Sequence, residues 1–405
     1  MSLVAARLKA IKPAPTLAVT AKAARLKAEG KDVIAMGAGE PDFDTPQFIK
    51  DAAIAAMNKG LTKYTAAGGT PSLKKAIIAK FRNENGLDYA EKQILVSCGG
   101  KQSSFNLCMA LLNPGDEAIV PAPYWVSYPD MAMMADAKPV FVSAGIEQGF
   151  KMTAVQLKNA ITPKTRLIWI NSPSNPTGAV YTAAELKALG EVLRQHPRVI
   201  IATDDMYEHI LLDGSKFMNI LNVCPDLYAQ TVVLNGVSKA YAMTGWRIGY
   251  CGGPEELITA MESVQSHSTS NPTTISQYAA EAALTGDQSC IDPMVAAFKE
   301  RAKVVTEGLN RIPGVKCMAP AGAFYSFPDC REAVKRLHAT GRISAPTDLA
   351  LCDYLLAQPK AVAAVPGSAF GAEGYVRISF ATSMDNIRKA VERMAEAMGE
   401  VRVPA

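Results

Sequence analysis

The chain has 405 residues, 49% of them hydrophobic and 20% charged, the composition of a globular protein with a sizeable core rather than of a disordered or fibrous one. A net charge of +4 on this length argues against nucleic acid or an anionic membrane as the main partner, and no apolar run approaches the ~18 residues of a membrane span. The eight cysteines include no C-x-x-C and the four histidines no H-x-x-x-H, which argues against a zinc site or disulfide framework and fits a reducing cytosol.

The length suits two or three domains, or one large domain with an appendage. From Met1 to Ala28 there is no acid, while Arg7, Lys9, Lys12, Lys22, Arg25 and Lys27 are basic. That composition fits an organelle transit peptide or a structural arm followed by a first helix. Pro13 and Pro15 break any helix before Thr16, and a helix over 17–30 closes at Gly30. A short strand over 32–36 leads into GAGEPDFDTP, where Gly37 and Gly39 permit close backbone approach. Asp44-Thr45-Pro46 starts a helix over 46–59. KYTAAGGTPSLKKAI follows, with Tyr64 in an exposed loop.

A strand over 94–97 runs into CGGKQSSFNLCMALL, which opens a helix. Strand, Gly99-Gly100 and helix N-terminus together make an anion site, because free N–H groups and the positive end of the dipole point outward. The G-x-G-x-x-G of a dinucleotide fold is missing, which disfavours a dehydrogenase. Lys101 carries a cation where the dipole disfavours one, which suggests a purpose. A strand over 117–121 ends in PAPYWVSYPDM; Trp125 there suits either a core or a stack on a flat heteroaromatic ring. Strands over 139–143 and 165–170, with a helix over 153–160 between them, give the alternation of a parallel sheet. NSPSNPTG is a rigid loop, and it places the Asn175 amide at the sheet's edge.

A helix over 183–196 and a strand over 199–203 lead to DDMYEH. Asp204 at the end of a buried strand is either a helix cap or the partner of a cation; a pyridine nitrogen keeps its proton only beside such a carboxylate. The apolar run 231–234 reads as a buried strand with Asn235-Gly236 as its turn. Lys239, next to Ser238, then stands at a strand's carboxyl end, where open α/β sheets bind ligands. An amine there can form a Schiff base with a carbonyl, and Arg247 nearby can grip a phosphate through two parallel hydrogen bonds. A strand over 247–252 and helices over 254–265 and 274–284 follow; His267 reads as structural. Beyond Thr285-Gly286 the texture changes to a long helix over 293–311, strands over 315–318 and 324–327, a helix over 347–358, strands over 362–366 and 375–380, and a helix over 384–399. Arg377, in a strand between apolar neighbours with no acid close in sequence, suits a substrate carboxylate held by its planar fork.

SKAYAMTGWRIGY resembles the pyridoxal-phosphate lysine segment of class I aminotransferases, the aspartate aminotransferase family. GGKQ, NSPSNPTG, the Asp204–Tyr207 spacing and Arg377 repeat the resemblance in the family's order, over roughly residues 12–398. It implies an α/β pyridoxal-phosphate-dependent transferase fold: a large domain whose mostly parallel sheet is flanked by helices, plus a smaller α+β domain. The implied division is an arm and part of the small domain over 1–45, the large cofactor-binding domain over 46–288 and the small domain over 289–405. KPAPTLAVTAKAARLKAEG resembles the family's N-terminal segment, which favours the arm over a transit peptide.

The resemblance implies pyridoxal 5′-phosphate as cofactor, with Lys239 as the Schiff-base lysine and proton shuttle. Gly99, Gly100, Lys101, Ser238 and Arg247 would hold the phosphate, helped by Tyr64 from the other subunit of a homodimer. Trp125 would stack on the ring, Asp204 would pair with its nitrogen, and Asn175 and Tyr207 would bond its phenolic oxygen. Gly39, Trp125, Asn175 and Arg377 would contact the substrate, and Lys101 its distal carboxylate. The implied activity is a cytoplasmic ping-pong transamination of L-aspartate or glutamate with 2-oxoglutarate or oxaloacetate, with prephenate as a further acceptor. An aromatic or alanine-type transaminase and a lyase on the same scaffold are the alternatives; a regulator would need an added DNA-binding domain, for which no segment is spare. Ala14 departs from relatives that carry a small hydroxyl residue there, with Lys12 or Thr16 as the candidates to compensate.

Overall fold

Near-continuous apolar runs, as in ILVS and TVVLNG, suit strands buried on both faces, and they build the central sheet. The computed structural model describes residues 3–11, 13 and 15–399; Lys12 and Ala14, singled out in the sequence, lie outside the described residues. In chain order the strands are β1 (Asp32–Ala35), β2 (Ile94–Ser97), β3 (Glu117–Ala122), β4 (Lys138–Ser143), β5 (Thr165–Asn171), β6 (Ile200–Asp204), β7 (Thr231–Gly236), β8 (Gly249–Gly252), β9 (Tyr325–Ser326), β10 (Lys360–Ala363), β11 (Val365–Pro366) and β12 (Val376–Ser379).

Seven of them form one sheet in the order β2-β8-β7-β6-β5-β3-β4. All run parallel except β8, which is antiparallel to both its neighbours. The exception follows from connectivity: β7 reaches β8 with no crossover helix between them, so the chain returns beside itself. Alternate residues feed two cores. Val96, Ile119, Ile168, Ile201 and Val233 pack on one face with Leu73, Ile77 and Phe81. Leu95, Val120, Leu167, Ala202 and Val232 pack on the other with Leu107 and Met261.

A three-stranded sheet, β11-β12-β9, and the parallel pair β1-β10 make up the rest, so the N-terminal strand is tied to the C-terminal third of the chain. Helices Asp292–Leu309 and Met384–Met398 are packed against each other beside these sheets. Among the described residues no helix is long and apolar enough to cross a membrane.

Several expectations need correction. Asn235-Gly236 is no turn: β7 continues through it, with Asn235 opposite Tyr250 and Gly236 opposite Gly249. A Cβ on Gly236 would lie 3.1 Å from the Gly249 Cα, so the glycine serves the close pairing. Arg247 does not begin a strand; it takes φ 55° after the 3-10 turn Thr244–Trp246, and β8 starts at Gly249. The expected strand over 315–318 reduces to one bridge, Lys316 to Asp329. The run over 362–366 splits between two sheets, β10 pairing with β1 and β11 with β12. Helices Pro71–Asn85, Ser127–Met134 and Arg331–Ala339 were not foreseen. The first of these carried its signals in plain view: a Thr70 cap, Pro71 in the first turn and Gly86 at φ 66°.

Candidate active site

The parallel strands β5, β6 and β7 end side by side, with Asn171 opposite Asp204 and Asp204 opposite Leu234. Just beyond these carboxyl ends lies a cavity of about 400 Å³. Its sheet side is lined by Gly100, Asn175, Asp204, Tyr207, Ser238 and Lys239, and its far side by the 37–40 segment, Tyr325 and Arg377. Lys101, Trp125 and Arg247 also line it.

Lys239 follows β7 by three residues, which carries it clear of the sheet. Its ammonium donates to the Gly39 carbonyl at 2.5 Å. It stands 5.8 Å from the ring centres of both Tyr207 and Phe324. Burial lowers its pKa to about 8; Glu40 opposes the shift, and the guanidinium groups of Arg377 and Arg247 add to it. The neutral fraction of the amine near physiological pH is therefore far larger than that of an ordinary lysine.

Of the paired acids at the end of β6, Asp204 faces the cavity and Asp205 turns away. Asp204 Oδ2 accepts from the Tyr128 hydroxyl, and Oδ1 accepts the Met206 N–H at 3.3 Å. Burial raises its pKa, against the pull of these donors and of Lys239. Asp205 is locked by Thr203 Oγ1 at 2.6 Å and Asn219 Nδ2 at 2.8 Å. Burial and the nearby Glu208 carry the Asp205 pKa up to about 7.

Glycines at the start of helix Gly100–Leu111 let three segments pack closely around its free N–H groups. Gly99 has φ 87°, and a Cβ there would sit 2.3 Å from Arg247 Nη2. A Cβ on Gly100 would meet Met206 Cε at 2.4 Å, and one on Gly249 would meet the Gly100 nitrogen at 2.1 Å. The Arg247 guanidinium is aimed by the Thr244 carbonyl at 2.8 Å and the Cys98 carbonyl at 3.4 Å. The Lys101 ammonium lies 5.1 Å from the Trp125 ring centre. Its pKa is lowered by burial and by Arg247, against Asp130.

Arg377, 2% exposed on β12, donates Nη1 to Asn175 Oδ1 at 2.9 Å and Nη2 to the Gly37 carbonyl at 2.8 Å. Its Nε has no partner among the described residues, and the guanidinium lies 4.6 Å from the Tyr325 ring centre and 4.9 Å from that of Phe370. Because Asn175 accepts through Oδ1, its Nδ2 stays available as a donor. The Tyr207 and Tyr325 hydroxyls share a hydrogen bond at 2.8 Å.

The structure thus brings together every candidate residue except Tyr64 and Gly99 at the cavity wall; Gly99 stands directly behind it. Tyr64 is 91% exposed and lies outside this cavity. The sequence reading missed Glu40, Thr20 and Tyr325 in the wall, and Tyr128 behind it. Tyr325 had a usable signal: a tyrosine in a buried apolar strand needs a partner for its hydroxyl. Thr16, named as a substitute for Ala14, does line the cavity.

The sequence profile described as "Aminotransferase class I and II" matches residues 31–394. The chain belongs to that family. It is an aminotransferase, and its relatives are alike along their whole length. The "Aspartate/prephenate aminotransferase" of Nitrosomonas europaea is 64% identical over 392 residues, covering 97% of this chain and 98% of that protein. The "Aspartate aminotransferase" of Geobacillus stearothermophilus is 51% identical, with 97% and 98% covered. Among solved structures, the aspartate aminotransferase of Rhizobium meliloti superposes with a TM-score of 0.92 at 49% identity, covering 98% of this chain and 99% of that one. The Thermus thermophilus aspartate aminotransferase with maleate gives 0.91 at 43% identity, with 98% and 100% covered. The fold is that of these enzymes.

Proposed function

We propose that this aminotransferase uses pyridoxal 5′-phosphate to move the amino group between L-aspartate or L-glutamate and a 2-oxo acid such as 2-oxoglutarate or oxaloacetate, and that it also acts on prephenate. One observation carries the reading: a single cavity joins a lysine of lowered pKa to a buried acid, a helix N-terminus and separate cationic anchors. The names of the relatives reported above favour the dicarboxylate substrates.

The residues fit the cofactor. The start of helix Gly100–Leu111 borders the cavity through Gly100 and Lys101, with Ser238 and Arg247 beside it, so free N–H groups, a dipole end and cations would hold a phosphate there, while Gly99, Gly100 and Gly249 let the surrounding segments close tightly behind it. Asp204 has no cation within ion-pair distance among the described residues, and a protonated ring nitrogen would stabilise its charge. When bound, pyridoxal phosphate supplies an aldehyde for amine exchange and an electron sink for the substrate α-carbon.

The protein's groups do the rest. Lys239, its pKa lowered by burial, would hold the cofactor through its amine and, when that amine is free, would take the proton from the substrate α-carbon and return it. Arg377 holds the α-carboxylate, and its fixed fork orients the α-hydrogen toward Lys239. Asn175 and Tyr207 would donate to the phenolic oxygen, Trp125 would cover the ring, and the Gly39 backbone would limit the substrate's approach, all four lining the cavity. Lys101 holds the distal carboxylate and contributes to the phosphate site. The working unit is a cytoplasmic homodimer in which the exposed Tyr64 reaches the other subunit's phosphate site. The division into an arm with part of the small domain over 1–45, a large domain over 46–288 and a small domain over 289–405 is part of the same proposal.

The test is the visible absorption of the purified protein before and after L-aspartate is added without an acceptor. A yellow band that fades with aspartate and returns with 2-oxoglutarate is the expected result. A yellow protein indifferent to aspartate would redirect the reading to aromatic or alanine-type donors. A colourless protein that takes up no cofactor would overturn the role of Lys239. For specificity, Lys101→Ala is expected to lose activity on aspartate while sparing uncharged donors; equal loss on all donors would refute the dicarboxylate reading.

A further inference from the structure

Tyr128 stands behind the cavity, on helix Ser127–Met134, and is 2% exposed. Its ring is fixed on two sides. It stacks on Trp169 with centres 4.9 Å apart at 18°, and meets Trp125 edge-on at 5.2 Å and 83°. The Trp169 indole N–H is itself held by Ser104 Oγ at 3.3 Å, on the helix that begins at Gly100. With the ring so placed, the hydroxyl reaches one acceptor among the described residues, Asp204 Oδ2. Burial and the Asp204 charge push the phenol well above its ordinary pKa, so it remains a donor wherever the enzyme works.

We propose that Tyr128 is a positioning residue that fixes the rotamer and the ionised state of Asp204, and thereby sets how tightly the site binds a protonated heteroaromatic nitrogen. The proposal rests on the assignment of Asp204 to the ring nitrogen made above. Burial alone favours the neutral acid, which cannot stabilise a pyridinium. The groups that face Asp204 are Tyr128 from its helix, Lys239 from the segment after β7, and Tyr207 on Asp204's own turn, with Asp205 behind. Lys239 is the one cation among them, and its amine would be taken up by the cofactor's aldehyde. The Met206 N–H at 3.3 Å is a long bond. The phenol is therefore the main fixed donor that keeps the carboxylate charged and aimed.

Tyr128→Phe keeps the ring and its stacking and removes only this donor. The experiment titrates the apoenzyme with pyridoxal phosphate, and with an analogue carrying carbon in place of the ring nitrogen, across the range from acid to neutral pH. A hydrogen bond to a carboxylate of this kind shifts the apparent ionisation by about one to two pH units. The acid limb of pyridoxal-phosphate affinity is accordingly expected to move upward by about that much in Tyr128→Phe, with about tenfold weaker binding on the limb. Affinity for the carbon analogue is expected to stay within about twofold of the parent's. In an Asp204→Asn background, Tyr128→Phe is expected to leave the pH profile where it was. An unmoved limb, or equal losses for the cofactor and the carbon analogue, would reduce Tyr128 to packing and overturn the proposal. A parent enzyme that binds both ligands equally would instead overturn the Asp204 assignment, and the proposal with it.

Discussion

Lys80 is buried to the end of its side chain on helix Pro71–Asn85, and its ammonium bonds the equally buried Glu208 carboxylate. Asn85 Oδ1 accepts from Lys80 at 2.7 Å, while Asn85 Nδ2 and Asn235 Nδ2 donate to Glu208 at 2.7 and 2.8 Å. The cluster thus joins a surface helix to the turn that carries Asp204 and Tyr207, and to the end of the strand before Lys239. Replacing Lys80 by Met preserves the length and apolar bulk of the stem but strands a buried carboxylate. Losing one partner of a buried pair costs about 3–5 kcal/mol, and the surviving asparagine donors place the loss near the lower end. The apoenzyme is therefore expected to unfold at a clearly lower urea concentration, and Lys80→Met with Glu208→Gln is expected to recover about half of the loss or more. The pH dependence has a definite sign. Burial pushes the Glu208 pKa up, but the Lys80 charge, His209 and the hydrogen bonds outweigh it and hold the group below its ordinary value. Its contribution is present above the unfolded pKa of about 4.3 and is lost as pH falls through the folded value. In Lys80→Met the folded pKa rises above the unfolded one, so the variant gains on the parent as pH drops from neutral. Urea midpoints at neutral and mildly acid pH read both effects. A neutral-pH loss below about 1 kcal/mol, or a gap that does not narrow in acid, would refute the reasoning.

Three further outcomes follow from the geometry. Cofactor uptake by the apoenzyme should accelerate with pH through about 8, the value set for the Lys239 amine by burial and the two arginines, and the midpoint should rise in Arg377→Leu; a midpoint at the ordinary lysine value would refute this. Arg377→Leu should also lower kcat/KM for amino-acid donors by about 100-fold, or about 3 kcal/mol, since it removes the buried fork proposed to hold the α-carboxylate; steady-state kinetics decide. Gly249→Ala puts a Cβ 2.1 Å from the Gly100 nitrogen, so phosphate-dependent cofactor affinity should collapse while the helices persist by circular dichroism.

What the sequence revealed and what it hid have different physical causes. Lys239, Asp204 and Arg377 were legible because each is a charged residue in an apolar context, a combination that a core tolerates only for a reason. Helix and strand positions in the large sheet followed from apolar runs and turn residues, as with Ile94–Ser97. The errors fall where tertiary pairing overrides a local signal. Asn235-Gly236 is a strong turn dipeptide, yet it stays in β7 because Gly249 on the returning strand needs a neighbour without a side chain. The split of 362–366 between β10 and β11 is set by two partners more than a hundred residues apart from each other in sequence, β1 and β12, and no local pattern encodes it. Tyr128 and Tyr325 were overlooked because an uncharged tyrosine in an apolar stretch reads as core until its hydroxyl's partner is seen.

The charges around the cavity also explain why these residues act as a set. Lys239 has a low pKa because the site is buried and because Arg377 and Arg247 stand near it, the same arginines assigned to the substrate carboxylate and the cofactor phosphate. An anion that neutralises either arginine removes a repulsion that keeps the amine uncharged, and so makes Lys239 a stronger base at the moment substrate is held. Asp204 works in the opposite sense, attracting the Lys239 proton until its charge is taken up by a ring nitrogen. Binding and proton affinity are therefore coupled through distance alone, with no conformational change required. Such coupling cannot be apportioned to single residues: replacing Arg377 alters both substrate binding and the basicity of Lys239, and its two effects separate only when KM and the pH profile of kcat are measured together.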